Sequence, residues 1–90
     1  MVSLHATIKG RVQGVCYRYF ACEEARAFGL NGWVRNMGNN DVEVLAEGNK
    51  ELLKQYLEVL RQGPPLARVS DIVEDWSDEE EGITGFLIKY

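Results

Sequence analysis

The sequence predicts an α+β fold: a β-α-β-β-α-β unit with an extra C-terminal strand, its antiparallel sheet carrying two helices on one face. Three observations predict it. Several short runs alternate apolar with polar residues, as half-buried strands do. Two longer runs repeat apolar residues at helical spacing along one side only. These runs follow one another in the order of a split β-α-β repeat, which gathers one-sided helices on a single face of a sheet. The result is a ferredoxin-like sandwich.

Leu4 to Val12 forms the first strand, with Leu4, Ala6, Ile8, Gly10 and Val12 on one face and His5, Thr7, Lys9 and Arg11 on the other. Gln13-Gly14-Val15-Cys16-Tyr17 is a loop, and a helix is expected from Arg18 to Phe28, where Gly29 stops it. Leu30 to Met37 and Asp41 to Glu47 are the next strands, joined through Gly38-Asn39-Asn40, residues that tolerate positive φ. Val42, Val44 and Ala46 face one side, and Asp41, Glu43 and Glu47 the other. Asn49 caps a second helix over Lys50 to Gln62, whose Leu52, Leu53, Tyr56, Leu57 and Leu60 form the apolar stripe. Gly63-Pro64-Pro65 ends it.

Val69 to Trp76 is a fourth strand whose blurred alternation predicts a bulge. Asp78 to Glu81 reads as a solvated acidic loop, and Thr84 to Tyr90 as a last strand with Phe86, Ile88 and Tyr90 on one face. Gly10 and Gly32 mark close backbone approaches. Tyr17, Phe20, Phe28, Tyr56 and Phe86 are expected in the core, while the face of Trp33 stays open.

Ninety residues make one domain, 1–90. A net charge of -4 argues against a nucleic-acid partner, whose binders carry a basic face, yet leaves room for a small anion held by a few focused positive groups. The N-terminus lacks a basic, apolar leader, and no apolar run nears the roughly 18 residues that cross a bilayer. Cys16 and Cys22 are too few for a disulfide framework. A cytoplasmic monomer with no membrane partner is expected.

The topology locates a site. In a split β-α-β unit the first two strands run parallel, with a gap that the third fills, so their C-terminal ends share one edge of the sheet. That edge holds the Gln13–Tyr17 loop, the start of the first helix at Arg18, and Asn36 at the end of the second strand. Gly14 lets successive amides turn inward, and a helix start adds unpaired N–H groups and positive dipole. Together they form a cradle for phosphate. Arg18 brings a planar, permanently charged fork, and Asn36 an uncharged donor and acceptor able to hold a water. Two strand spacings, about 10 Å, separate them, so they must converge on a ligand from opposite sides.

Other residues read as structural. Alternation turns Arg35 away from Asn36. Cys16 invites a phosphatase nucleophile, but that chemistry needs its arginine several residues further along the same loop, and Arg18 comes too soon. His5, the only histidine, lies at the far end of the first strand. No cluster has metal-ligand spacing, and neither a Walker A pattern nor a dinucleotide fingerprint is present. No metal and no cofactor are expected.

Two runs carry a family resemblance. Gly10-Arg11-Val12-Gln13-Gly14-Val15-Cys16-Tyr17-Arg18 resembles the first acylphosphatase signature, and Gly32-Trp33-Val34-Arg35-Asn36 with Val42 and Gly48 resembles the second. Gly63-Pro64-Pro65 and Phe86-Leu87-Ile88 also fit, so the resemblance spans nearly the whole chain. One departure is Asn40, where the family usually has glycine. The resemblance implies hydrolysis of a small-molecule acyl phosphate to carboxylate and inorganic phosphate, with no metal and no phosphoenzyme. It implies that Arg18 binds the phosphate, that amides of Gln13, Gly14, Val15, Cys16, Tyr17 and Arg18 complete the cradle, and that Asn36 positions the attacking water. It further implies a contact between the terminal carboxylate at Tyr90 and Arg18. Two competing readings are a non-catalytic anion-binding regulatory module, since fold and loop alone do not prove turnover, and an RNA-binding module, since ferredoxin-like sheets also serve RNA recognition.

Overall fold

The computed structural model describes residues 1–90. Its elements are β1 (Val2–Arg11), α1 (Tyr17–Ala27), β2 (Asn31–Asn36), β3 (Val42–Gly48), α2 (Lys50–Gln62), β4 (Arg68–Ser77) and β5 (Phe86–Lys89). The five strands form one sheet in the order β4-β1-β3-β2-β5. β1 pairs antiparallel with both β3 and β4, and β2 antiparallel with β3, which is the expected ferredoxin-like core. β5 runs parallel to β2, making the full sheet mixed.

The parallel pairing follows from the route of the chain. β4 and β5 occupy opposite edges, so the segment between them crosses the ends of β1, β3 and β2 at the edge where β2 begins. A strand entered from that side can only run in the direction of β2. Three polar side chains fasten the crossing in order. Ser3 on β1 donates its hydroxyl to the Glu79 carbonyl at 2.8 Å. Glu47 on β3 is 2% exposed, and its carboxylate accepts the amides of Glu81, Gly82 and Ile83. Asn31 on β2 accepts the Gly85 amide at 2.9 Å. The acidic segment read as solvated is therefore pinned through its main chain.

Leu4, Ala6, Ile8, Val34, Val42, Val44 and Ala46 turn inward to meet Ala21, Cys22 and Ala25 of α1 and Leu53, Tyr56, Leu57 and Leu60 of α2. Each fully buried valine, leucine or isoleucine among them adds about 1.5–3 kcal/mol of transfer free energy. Two tyrosines cross-tie the helices: the Tyr17 hydroxyl donates to the Leu60 carbonyl at 2.6 Å, and that of Tyr56 to the Ala21 carbonyl at 2.8 Å. Burial pushes both phenols above their ordinary range, so they stay protonated donors. Tyr17, Tyr56 and Phe86 are fully buried, while Phe20 and Phe28 are only partly so.

Local expectations are met at particular residues. The Asn49 side chain accepts from the amides of Glu51 and Leu52, capping α2. Gly29 has φ 71 just past α1. The β4 bulge is present: Lys9 faces Asp71 and Gly10 faces Val69, which leaves Ser70 as the extra residue. Gly10 is required there, because a Cβ would sit 2.1 Å from the Arg68 carbonyl oxygen. Trp33 lies on the open face, 4.4 Å below the Lys89 ammonium.

Candidate active site

At the edge opposite the crossing segment, the ends of β1, β2 and β5 meet the start of α1. The β1–α1 loop turns by alternating handedness. Gly14 has φ 74 and Cys16 φ 64, both left-handed, on either side of Val15, whose φ is negative. Such alternation turns successive N–H groups into one concavity. None of the amides of Gln13, Gly14, Val15 or Cys16 donates to another backbone carbonyl. α1 starts at Tyr17, one residue earlier than expected, with no side-chain cap, so its first-turn amides are also open. The loop is held from below by the buried Tyr17 hydroxyl and from the side by Gln13, whose carboxamide donates to the carbonyls of Met37 and Asp41.

Arg18 and Asn36 come together on one cavity of about 220 Å³, lined also by Val12, Gly14, Cys16, Tyr17, Tyr19, Ile88 and Tyr90. Gln13 and Val15 lie next to it without lining it: Gln13 turns to the hairpin, and Val15 packs in the core. The arginine–carboxylate pairs of the chain belong to Arg26, Arg35 and Arg61, which leaves the Arg18 guanidinium uncommitted to a carboxylate. Its flat face rests on the Tyr90 ring, 4.8 Å from the centroid. Tyr90 thus reaches Arg18 through its ring. Across the cavity, the Asn36 Oδ1 atom is buried with no protein hydrogen-bond partner. Native proteins seldom leave a buried acceptor unpaired, and those left so concentrate where a ligand completes them. Inward amides, a free guanidinium and an orphan carboxamide oxygen suit a tetrahedral oxyanion and a water.

Of the residues read as structural, Cys16 is exposed and lines this cavity, and the others sit elsewhere. His5 and Arg35 both bind Glu43 on the open face of the sheet. Burial alone would raise the Glu43 carboxyl, but hydrogen bonds from His5 and Arg35 and their charge outweigh it and hold it below the usual carboxylate range. Cys22 is buried and donates its thiol to the Phe86 carbonyl, and burial pushes that thiol up. Sequence reasoning did not place Tyr19 at the site, and it brought Tyr90 to Arg18 through the terminal carboxylate and not through the ring. The available signal was an aromatic residue directly after Arg18, and the alternation that sets Tyr90 in line with Phe86 and Ile88.

Comparison with known proteins identifies the family by sequence and fold. The acylphosphatase family model matches residues 4–88. An acylphosphatase of Thermus thermophilus is 50% identical over 88 residues, covering 98% of this chain and 99% of that protein. One from Thermococcus kodakarensis is 44% identical, covering 97% of this chain and 94% of that protein. The crystal structure of acylphosphatase from Bacillus subtilis superposes with a TM-score of 0.98 at 40% identity, each chain fully covered. A likeness this complete in sequence, fold and extent makes the chain a member of the acylphosphatase family, hydrolases of acid anhydrides that cleave acyl phosphates.

Proposed function

We propose that Arg18 and Asn36 carry this hydrolysis from opposite sides of the loop cavity. The phosphoryl group sits in the concavity formed by the amides of residues 13–18, and Arg18 binds two of its oxygens through the N–H edge that the Tyr90 stack leaves open. Asn36 holds a water through Oδ1 in line with the bond to be broken. The water oxygen bonds to phosphorus while the bridging P–O bond breaks. The acyl carboxylate leaves with that electron pair, and the water proton passes to a phosphoryl oxygen, which spares the site a general base. A carboxylate is a stable leaving group, so the protein needs only to position the reactants and balance oxygen charge.

The observation that carries this reading is the buried, unpartnered Asn36 Oδ1 across one small cavity from an uncommitted Arg18. No three His, Cys, Asp or Glu side chains gather as a potential metal site, and the reading uses no metal. It also takes the chain as a monomer acting on a small acyl phosphate and not on nucleic acid. A reducing, cytoplasmic setting suits two free cysteines, and no helix is long and apolar enough to cross a membrane.

The test is phosphate release from benzoyl phosphate in the presence of a chelator. Arg18→Gln and Asn36→Ala are each expected to lose at least about a hundredfold in turnover, the scale of a lost transition-state donor. Arg18→Gln also weakens competitive inhibition by inorganic phosphate. Full activity in either folded variant removes that residue from the mechanism.

A further inference from the structure

The arginines of the chain divide by place. Arg26, Arg35 and Arg61 each hold a carboxylate. Arg11, Arg18 and Arg68 belong to none of the ion pairs, and all three stand at the edge that carries the anion-binding loop: the end of β1, the start of α1 and the start of β4. Acids gather at the opposite edge, with Asp75 near the end of β4 and Asp78, Glu79, Glu80 and Glu81 on the crossing segment. Arg11 lies directly opposite Arg68 in the β1–β4 register, and both are exposed. Like charges so placed destabilise a sheet. The bulge creates the apposition. Counting on from Lys9 opposite Asp71, an unbroken register would set Arg11 against Val69; the extra Ser70 brings Arg68 level with Arg11 and leaves Val69 packed on the core. Nearby acids do not neutralise the pair: Asp41 binds Lys9 at 3.0 Å, and the Asp71 carboxylate accepts the Ile72 amide at 2.9 Å.

We infer that Arg11 and Arg68 form a second oxyanion seat, which gathers phosphate-bearing anions beside the mouth of the cavity. Two guanidiniums offer two planar forks, each matched to a pair of phosphate oxygens. Residues directly opposite in an antiparallel pair share a face with Cβ atoms about 4.5–5.5 Å apart, so both forks can reach one anion. An anion held there also offsets the repulsion that the bulge imposes. The seat adjoins the cavity, because Val12, the residue after Arg11, lines it. It is separate from the cavity, because neither Arg11 nor Arg68 does. Its use in turnover rests on the proposed phosphoryl seating at Arg18. With the acids held at the far edge, unpaired arginines make the mouth locally positive in a chain of net charge -4. Such a field raises the local concentration of an anionic substrate and speeds its encounter.

The experiment titrates inorganic phosphate into the native chain, Arg18→Gln and the double variant Arg11→Gln/Arg68→Gln, following backbone amides by NMR; the same spectra report that each variant is folded. Two groups of amides are expected to shift in the native chain, one over residues 14–18 and one around Arg11 and Arg68. Arg18→Gln should weaken the first and keep the second, and the double variant should do the reverse. A second group that is missing in the native chain, or that vanishes in Arg18→Gln, overturns the seat. Kinetics with benzoyl phosphate test its use. At low ionic strength the double variant should lose about 10-fold in kcat/KM, the low end of what focused fields give, through KM with kcat unchanged. The gap should close by about 1 M salt, where screening acts over about 3 Å. Arg11→Lys/Arg68→Lys keeps the charge and should keep the native salt dependence. A double glutamine variant with native kcat/KM at low salt, or a gap that salt does not close, overturns the gathering role. The two readings fail separately: loop amides that respond undiminished in Arg18→Gln remove the phosphoryl seating, whereas a silent Arg11–Arg68 group beside weakened loop amides removes only the second seat.

Discussion

Gln13 is bonded to Met37 across the mouth of the sheet, its carboxamide nitrogen 2.9 Å from the Met37 carbonyl oxygen, and the same nitrogen reaches Asp41 at 2.8 Å. The loop ahead of Arg18 is thereby tied to the hairpin that follows Asn36. Gln13→Ala is expected to cut kcat by about 10- to 100-fold, the scale of a small misplacement of reacting groups. Its stability cost should be only about 1–2 kcal/mol. Steady-state kinetics beside urea unfolding separate the two effects.

Cys16 occupies a left-handed conformation, φ 64, that a Cβ disfavours by about 1–2 kcal/mol. Glycine relieves that strain but adds freedom to the unfolded chain. Cys16→Gly is therefore expected to stabilise the protein by about 0.5–1 kcal/mol, net of the two effects. Cys16→Val, branched at Cβ, should destabilise it. Chemical denaturation of the two variants gives opposite signs if the loop has this geometry.

Glu47 holds three main-chain amides with one carboxylate. Glu47→Ala leaves them without their acceptor and is expected to cost at least about 2 kcal/mol, with Glu47→Gln falling between. Hydrogen exchange at Glu81, Gly82 and Ile83 should quicken in the alanine variant before exchange does in the core.

Glu43 gives a pH dependence of known sign. Its carboxyl is lowered in the folded state, because His5 and Arg35 outweigh the opposing effect of burial. A depressed carboxyl contributes stability above its unfolded-state value, about 4.3 for glutamate, and that contribution is lost as pH falls through the folded value. Glu43→Gln is therefore expected to be less stable than the native chain at pH 7, with the gap closing below about pH 4. Urea unfolding from pH 3 to 7 checks the direction.

The sequence is most legible where local pattern and chemistry coincide. Alternation places Leu4, Ala6 and Ile8 in the core and turns Arg35 outward, and a glycine loop before Arg18 marks the anion-binding edge. The blurred pattern near Val69 is the bulge at Ser70. Alternation also puts Glu47 on the open face, but its burial depends on what crosses that face. The crossing is set by β5 joining β2, a pairing no local pattern records. Tyr19 and the ring contact of Tyr90 escape for the same reason, since both are created by the meeting of α1 and β5.

β3 lies between β1 and β2, so the two halves of the catalytic edge become neighbours only after the hairpin has been inserted. A fragment ending with α1 could present loop amides and a guanidinium, but no carboxamide facing them. Gln13 and Met37 are 24 residues apart, a closure that waits on non-local pairing and not on helix formation. During refolding, regained turnover should therefore lag helical circular dichroism and report the last tertiary step.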